Sequence, residues 1–290
     1  MADGASVINL GDLSKPATVL IQKISDALGG YFKPYQMKRI AKAETEVKVV
    51  ETQAQIKITD LQRRAFTRWI AEESRKQQNI EAITSKSIPH LTNSSNPQNM
   101  DDDWIANFFE KCRIVSDEQM QLLWGKILAG EANVPGSFSK RTINLLSSVE
   151  KSEAQLFTIL CGFSCVIANV LELLVDDVLA SIYNNRGVNF ETLTHLDDIG
   201  LINFDPLAGF ARNGLPQEID VAYHGNMFRV SLKTLDSTDN TKYQMQIGKT
   251  LFTHAGFELA KICDPAPMDG FLDYVADKLR QQGATVSLPP

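Results

Sequence analysis

Four histidines and four cysteines are the side chains of this 290-residue chain best suited to acid–base or metal chemistry. His195 precedes Asp198 by one helical turn, so this pair could act as a general base and the carboxylate that orients it. No serine or cysteine nucleophile is marked nearby, and no histidine has a metal-ligand spacing to another histidine or to a cysteine. We interpret the pair as part of a solvated polar face. The sequence predicts no catalytic residue, no metal site and no cofactor.

The four cysteines fall on predicted apolar helix faces. Cys161 and Cys165 are four residues apart, which places them on one side of a predicted helix, but no second pair exists with which they could bind zinc. The spacing of the cysteines does not indicate a disulfide framework either, and reduced cysteines are typical of proteins in a reducing compartment. We therefore expect reduced core thiols in a cytoplasmic protein at Cys112, Cys161, Cys165 and Cys263.

Three consecutive carboxylates, Asp101 to Asp103, stand directly before the apolar run that begins at Trp104. Negative charge at a helix start complements the positive end of the helix dipole. The same carboxylates could attract a divalent cation, but no second acidic cluster is spaced to complete an oxygen cage. We therefore predict a helix start here and not a metal site.

Apolar residues recur every eleven positions between Pro34 and Pro89, a stretch without glycine or proline. An eleven-residue period corresponds to about 3.67 residues per turn, which gives a nearly straight stripe along a helix. A helix of roughly fifty residues would extend about 75 Å, more than one compact domain can cover. The sequence thus predicts one long helix whose seam meets another chain in a homo-oligomer. The predicted seam consists of Val47, Val50, Ala54, Ile58, Leu61, Ala65, Trp69 and Ile80.

The long helix also belongs to the basic part of the chain. Residues 1–90 carry 14 Lys and Arg against 10 Asp and Glu, a net charge of +4, whereas the other 200 residues carry 15 against 25, a net of −10. Such asymmetry suits an arm that meets an anionic surface. The same basic residues could instead form solvated ladders with glutamates such as Glu72. The candidate contacts to an anionic partner are Lys38, Arg39, Arg63, Arg64 and Arg68.

A shorter amphipathic helix is predicted before the long one. Ser14 is placed to cap it, Pro16 lies in its first turn, and Gly29 and Gly30 end it. Because lysines flank its apolar side, this helix could lie in a membrane interface; alternatively, it could pack on the protein's own helical body. The candidate membrane or partner face consists of Leu20, Ile21, Ile24, Leu28, Tyr31, Phe32, Lys23 and Lys33.

A polar, turn-rich segment at residues 92–99 is the best domain boundary. Residues 1–90 before it form the predicted arm, and helical periodicity after it predicts a compact bundle over residues 100–185. The apolar run Leu156–Val175 contains several polar residues, so we predict a buried core helix there and not a membrane span. The predicted bundle core includes Trp104, Phe108, Trp124 and Leu128.

From about residue 190 onward the hydrophobic period changes. Alternating apolar residues at 219–223 and 228–232, separated by a His-Gly-Asn turn, predict a β-hairpin. A helix precedes this hairpin and a strand-to-helix junction follows it at residues 251–260. The order resembles the closing half of a winged-helix domain, which we predict over residues 186–290.

In a winged helix, the helix at residues 190–199 would be the one that reads DNA. It offers Glu191, Asp197 and Asp198 but no lysine or arginine. Duplex DNA is a dense polyanion whose readers need positive charge at the backbone and donors at the base edges. We therefore do not expect sequence-specific DNA binding by this domain, and we expect it to contact proteins.

Several segments carry a family resemblance. They are residues 102–113, the helix Met120-Gln-Leu-Leu-Trp-Gly-Lys-Ile-Leu-Ala-Gly-Glu-Ala132, the turn Pro135-Gly-Ser-Phe-Ser-Lys-Arg-Thr142 and the closing Leu251-Phe-Thr-His-Ala-Gly-Phe-Glu-Leu259. Together they resemble an uncharacterised bacterial family, known only as a domain of unknown function, that covers nearly the whole chain. The Leu-Trp-x-x-Ile-Leu-Ala helix followed by a proline and a leucine-rich helix is also similar to the abortive-infection alpha domain of phage-defence proteins. Neither resemblance supplies a catalytic residue.

The sequence therefore predicts a mainly α protein with a long N-terminal helix, a central helical bundle and a small C-terminal winged-helix-like α+β domain. The leading functional hypothesis is a non-enzymatic, homo-oligomeric bacterial antiviral or stress factor in the cytoplasm. Its basic arm would contact a phage or host protein, or an anionic membrane surface as a peripheral protein at the inner membrane. One alternative is a nucleic-acid-associated regulator that binds through the arm. Another is an enzyme whose active site is assembled from distant residues.

Overall fold

The computed structural model describes residues 13–29, 59–233 and 243–287. The chain divides into two compact units, residues 1–147 and residues 148–290, which we call unit 1 and unit 2. The boundary lies well before residue 185, so residues 148–185, which the sequence assigned to the helical bundle, belong to unit 2. The described chain is a mixed α+β structure, with helices towards its N-terminus and sheets in its C-terminal half.

Unit 1 is helical throughout its described residues. Each helix begins after a residue whose side chain accepts a hydrogen bond from a backbone N–H of the first turn, which satisfies an otherwise unpaired amide. These capping residues are Ser14, Thr59, Asp101, Asp117 and Ser139. The helices are α1 (Lys15–Ala27), α2 (Asp60–Ser87), α3 (Asp102–Cys112), α4 (Glu118–Asn133) and α5 (Lys140–Leu146), with 3-10 turns at Ile88–His90 and Pro97–Asn99.

The predicted core of unit 1 is confirmed. The Phe108 ring lies 5.0 Å from the Trp104 ring and 5.2 Å, edge to face, from the Trp124 ring, measured between centroids. Leu128 is fully buried beside them. These aromatic contacts join α3 to α4, so the hydrophobic cluster expected from helical spacing does hold the bundle together.

The single long helix predicted between Pro34 and Pro89 is interrupted at Thr59. This residue is extended, with ψ at 152°, and α2 begins directly after it. The Thr59 side chain accepts from the Gln62 backbone N–H, while the Gln62 side chain accepts from the Thr59 N–H at 2.9 Å. This reciprocal capping box is a helix-start signal that the apolar periodicity masked. Residues 30–58 lie outside the described residues.

Unit 2 combines helices with antiparallel sheets. Five strands form one sheet in the order β2-β1-β5-β6-β9, and the pairs β3–β8 and β4–β7 form two-stranded sheets. The helices are α6 (Lys151–Cys161), α7 (Ser181–Asn184), α8 (Phe190–Asp198), α9 (His254–Cys263) and α10 (Phe271–Gln281). The strands are β1 (Ser164–Ile167), β2 (Val170–Leu173), β3 (Ile202–Phe204), β4 (Phe210–Leu215), β5 (Glu218–Tyr223), β6 (Asn226–Ser231), β7 (Tyr243–Gly248), β8 (Thr250–Phe252) and β9 (Thr285–Ser287).

The apolar run Leu156–Val175 is not one core helix, so that prediction is wrong. Helix α6 ends at Cys161, and the following residues form the β1–β2 hairpin. Its turn residues Ala168 and Asn169 have φ of 47° and 66°, the left-handed conformation that matches the twist of a two-residue hairpin loop. Alanine gives no signal for such a turn in the sequence. As a consequence, Cys165 lies on a strand and not on the helix that carries Cys161.

The predicted hairpin at residues 219–232 is confirmed as β5 and β6, but it does not project as a wing. It occupies the interior of the five-stranded sheet, where β1 pairs with β5 and β9 pairs with β6. Its alternate side chains, including Val221 and Phe228, are buried in the core of unit 2. Because both outer edges of the hairpin are paired with other strands, the hairpin cannot enter a DNA groove. Its role is structural.

Candidate interaction surface

Helix α2 is anchored in unit 1 by its C-terminal half. Ile80 and Ile83 are buried there, and Thr84 is buried beside them. The helix crosses α4 closely because α4 carries a glycine at the crossing point: a Cβ at Gly125 would lie only 3.0 Å from the Lys86 carbonyl carbon. The last turns of α2 are therefore fixed on the body of unit 1.

A polar network marks the point where this anchored part begins. The Asn79 amide nitrogen donates to the Arg113 carbonyl oxygen at 2.9 Å, and Gln121 donates to the Asn79 side-chain oxygen at 3.2 Å. The Gln121 amide also donates to the Val115 carbonyl oxygen at 3.0 Å. Because buried amides are costly unless paired, this network fixes both the position and the rotation of α2 where it leaves the bundle.

The first two thirds of α2, residues 60–78, carry apolar side chains that no other described residue covers. Leu61 is 69% exposed and Trp69 is 55% exposed, with exposed Ala65 midway between them. Spacings of four and eight residues put the three on one helix face. Trp69 and Ile80 are eleven residues apart, so this face continues the buried one. By helix geometry, residues 60–78 extend roughly 28 Å beyond the Asn79 network. We call Leu61, Ala65 and Trp69 the arm face.

The charges on the same stretch largely neutralise one another. Arg64 pairs with Asp60 at 3.2 Å, Arg68 with Glu72 at 3.5 Å, and the Lys76 ammonium with Glu73 at 2.6 Å. Residues 59–78 contain five basic and three acidic side chains, so the excess is only two positive charges. Polyanion binding draws its energy from many uncompensated cations. This surface therefore suits a protein partner better than a nucleic acid.

The predicted seam is thus divided by the structure. Leu61, Ala65 and Trp69 lie exposed along one face, whereas Ile80 is 2% exposed and packs inside unit 1. This end of the seam was predicted to meet another chain, but α4 covers it. Among the predicted cationic contacts, Arg63, Arg64 and Arg68 are exposed. The remaining predicted residues, Val47, Val50, Ala54, Ile58, Lys38 and Arg39, lie outside the described residues.

The apolar side of α1 packs on the protein itself. Leu20 and Ile24 are fully buried and Ile21 is nearly so, and α1 contacts α3 and the 3-10 turn at Pro97–Asn99. The Lys23 ammonium pairs with Asp102 at 2.6 Å. The described part of the predicted membrane face therefore belongs to the core of unit 1, and Leu28 is half-buried at its end; Tyr31, Phe32 and Lys33 lie outside the described residues. None of the helices in the described ranges is both long and apolar enough to cross a bilayer.

The acidic cluster before α3 caps that helix. Asp101 accepts from the Trp104 backbone N–H at 2.7 Å, and this hydrogen bond is the main reason that the pKa of Asp101 lies below its usual value. Lys140 lies 3.4 Å from the Asp101 carboxylate. His195 pairs with Glu153 of α6 at 2.7 Å. Within the residues that the structure describes, no three His, Cys, Asp or Glu side chains come together in a group that could hold a metal ion.

One polar cluster in unit 2 was not predicted from the sequence. The Asp176 carboxylate lies 2.7 Å from the Tyr274 hydroxyl, 3.0 Å from the Tyr183 hydroxyl and 2.9 Å from the Lys278 ammonium. These groups line a shallow cleft whose apolar walls include Met245. Tyr274 is 98 positions from Asp176 in sequence, so no local motif could reveal the cluster. Since all three groups meet the Asp176 carboxylate, the cluster braces α7 and α10 against the segment after β2.

The Asp176 cluster should make the stability of the fold depend on pH. Burial raises the pKa of Asp176, but hydrogen bonds from Tyr274, Lys278 and Tyr183 outweigh it and hold that pKa below the usual 3.8. A carboxylate with a lowered pKa in the folded state stabilises the fold above the unfolded pKa, and this contribution is lost as the pH falls through the folded value. We expect Asp176→Asn to be destabilised at neutral pH.

The test is urea unfolding across a pH series. The difference between wild type and Asp176→Asn should shrink as the pH falls from about 5 to below about 3. Asp273→Asn, an exposed carboxylate on α10, is the matched control and should show no such trend. A wild-type advantage that stays constant down to the lowest pH would contradict the role of the Asp176 charge.

Comparison with known proteins gives a family. The model of a family described as "Protein of unknown function (DUF2806)" matches residues 63–276, from the first turns of α2 into α10. No curated protein and no solved structure matches the chain. The matched range includes Ala65 and Trp69 of the arm face and Asp176, Tyr183 and Tyr274 of the polar cluster, but not Leu61 or Lys278.

Proposed function

The chain belongs to the DUF2806 family of proteins of unknown function, and we propose that it is a non-enzymatic assembly factor whose copies associate through the arm face of α2. One observation carries this proposal. Towards its N-terminus, the helix that packs against unit 1 at Ile80 carries the exposed apolar side chains Trp69 and Leu61, which no described residue covers. Large exposed apolar side chains close together on one helix are typical of interaction surfaces.

A second copy of the chain is the partner that this surface fits. In a two-fold pair each arm face covers the other, so Leu61 and Trp69 of both copies leave water together. Burial of a large apolar side chain gives about 1.5–3 kcal/mol, so four such side chains give about 6–12 kcal/mol. That gain is comparable to the cost of association, about 4–15 kcal/mol, so removing either side chain should shift the equilibrium strongly. The seam predicted at Val47 to Ile58 would extend the contact.

Two other partners fit the arm less well. A nucleic acid would need uncompensated cations, but Arg64 and Arg68 are paired with carboxylates of the same helix. A membrane interface would need the apolar side of α1, but Leu20 and Ile24 lie in the core of unit 1. Neither objection applies to a second copy, because helix pairing tolerates ion pairs along its edges.

For the biological setting we propose phage defence or a stress response. The support is the resemblance of the α4 and α5 segments to the abortive-infection alpha domain. In this chain the buried Glu131 carboxylate holds the turn that follows α4, because it accepts from the backbone N–H groups of Gly136 at 2.7 Å and Phe138 at 3.0 Å. The Trp104 indole N–H donates to the Phe138 carbonyl oxygen at 2.7 Å. These contacts fix the segment between α4 and α5 within unit 1.

The test of self-association is the double variant Leu61→Glu/Trp69→Glu. Two charged residues on the arm face would remain solvated in the monomer but would have to be desolvated in a pair, so the oligomer should dissociate. Sedimentation velocity at micromolar concentration should show the wild type as an oligomer and the variant as a monomer. Both should have the same circular dichroism spectrum, because these side chains contribute nothing to the core.

The matched control places the same charges on apolar residues outside the arm. Leu179 and Leu207 are 82% and 89% exposed in unit 2, and Leu179→Glu/Leu207→Glu should sediment as the wild type does. If the control dissociates as readily as the arm variant, the contact is not specific to α2. If the arm variant remains fully oligomeric, the arm face is not the interface.

A further inference from the structure

Two thiols of unit 2 are neighbours. Cys161 is the last residue of α6 and Cys263 is the last residue of α9, and the neighbouring Cys263 adds to burial in raising the pKa of Cys161. Neither cysteine is part of a disulfide. Cys161 is buried, whereas Cys263 is partly accessible to solvent. The pair is 102 positions apart in sequence and is brought together by the packing of α6 on α9.

A tyrosine hydroxyl fixes the two segments that follow these thiols. Tyr223 of β5 donates to the carbonyl oxygen of Gly162, the residue after Cys161, at 2.9 Å. The Met268 backbone N–H, in the segment after α9, donates to the same hydroxyl at 2.6 Å. Packing is equally close, because a Cβ at Gly162 would lie 2.4 Å from the Met268 methyl carbon and 3.1 Å from the Ala266 carbonyl oxygen. The thiols are thus held side by side on a rigid frame.

We propose that Cys161 and Cys263 form an oxidation site, at which hydrogen peroxide converts the two thiols into an intramolecular disulfide. Buried thiols are usually inert because solvent does not reach them. Here one member of a neighbouring pair is accessible and its partner lies next to it. Holding two reacting groups in place turns a bimolecular step into a fast intramolecular one. This inference is independent of the self-association proposed for α2.

The chemistry balances with peroxide as the only oxidant. The Cys263 thiolate attacks one peroxide oxygen, so that an S–O bond forms, the O–O bond breaks and the leaving hydroxide becomes water with the thiol proton. The Cys161 thiolate then attacks the sulfenic sulfur, the S–S bond forms, the S–O bond breaks and a second water leaves. Two thiols are oxidised and one peroxide is reduced. Burial raises the pKa of Cys161 and shields it from solvent, so the partly accessible Cys263 is the thiol that peroxide reaches first.

The experiment treats the full chain with hydrogen peroxide, blocks the remaining thiols by alkylation and maps peptides by mass spectrometry. We expect a linked Cys161–Cys263 peptide that dithiothreitol reverses, while Cys112 and Cys165 remain thiols and are alkylated once the chain is unfolded in denaturant. In Cys263→Ser the link should be absent and Cys161 should be alkylated. Cys165→Ser is the matched control and should form the link at the wild-type rate, because Cys165 lies on β1 and on neither of the helices that carry the pair.

A further variant tests whether the Tyr223 hydroxyl positions the two thiols. Tyr223→Phe keeps the buried ring but removes the hydroxyl that ties Gly162 to Met268, so the link should form several-fold more slowly in a chain that retains its circular dichroism spectrum. A rate unchanged in Tyr223→Phe would show that the frame does not position the thiols. Overoxidation of Cys263 to a sulfinic acid with Cys161 still reduced, disulfides between copies or random pairing with Cys112 would each overturn the proposal. So would the absence of any reaction.

Discussion

Replacing Trp124 by alanine should lower the free energy of unfolding by about 3–5 kcal/mol, the usual cost of truncating a large buried side chain. Trp124 is fully buried, and its ring meets Phe108 edge to face at 5.2 Å between centroids. Its indole nitrogen has no hydrogen-bond partner among the described residues, so the loss comes from packing and the cavity. Urea unfolding followed by circular dichroism measures it.

The chain contains its own control for this substitution. Trp69→Ala removes the same side chain from the exposed half of α2, where little packing is lost, so the free energy of unfolding of the monomer should change by less than about 0.5 kcal/mol. Trp124→Phe should be destabilised less than Trp124→Ala because it keeps part of the ring contact. A Trp124→Ala variant that unfolds at the wild-type urea concentration would contradict the account of the unit 1 core.

A second large effect is expected for Gly256→Ala in α9. A Cβ at Gly256 would lie 1.8 Å from the Leu201 carbonyl oxygen and 2.9 Å from its carbonyl carbon. That oxygen cannot move aside, because it accepts from the Thr253 backbone N–H at 3.2 Å and adjoins the β3–β8 pair. The helix must therefore shift, which costs about 3 kcal/mol or more, at the upper end for overpacking. Thermal unfolding should show a large loss.

Lys261→Ala serves as the control on the same helix. Lys261 is exposed, and its ammonium lies over the Phe257 ring, so its removal should change stability by less than about 1 kcal/mol. If Gly256→Ala unfolds at the wild-type temperature, the close contact between α9 and Leu201 is not a constraint. The same contact explains why a glycine stands in the Ala-Gly-Phe segment of α9.

Local signals in the sequence predicted much of the fold. The cap at Ser14, the aromatic core around Trp124 and the β5–β6 hairpin depend on residues near one another in the chain. The β1–β2 hairpin was missed because its turn residues, Ala168 and Asn169, include no glycine. Its apolar strands also have a composition that suits a buried helix, so periodicity alone could not separate the two.

Only part of the candidate interaction surface could be predicted from the sequence. Period and helix face are local properties, and from them the sequence predicted a seam that includes Leu61, Trp69 and Ile80. Which part of the stripe another helix covers depends on tertiary packing, here on the crossing at Gly125, and that is why Ile80 was assigned to the wrong partner. The Asp176 cluster and the Cys161–Cys263 pair join residues about 100 positions apart, beyond the reach of any motif.

The molar mass of the wild-type chain in solution decides whether α2 is an assembly helix. Light scattering behind size exclusion at micromolar concentration should give a multiple of the 32.2 kDa chain mass, which falls towards a single chain on dilution. Leu61→Glu/Trp69→Glu should give the mass of one chain throughout. A wild-type mass of 32.2 kDa across the whole micromolar range would contradict self-association through the arm face.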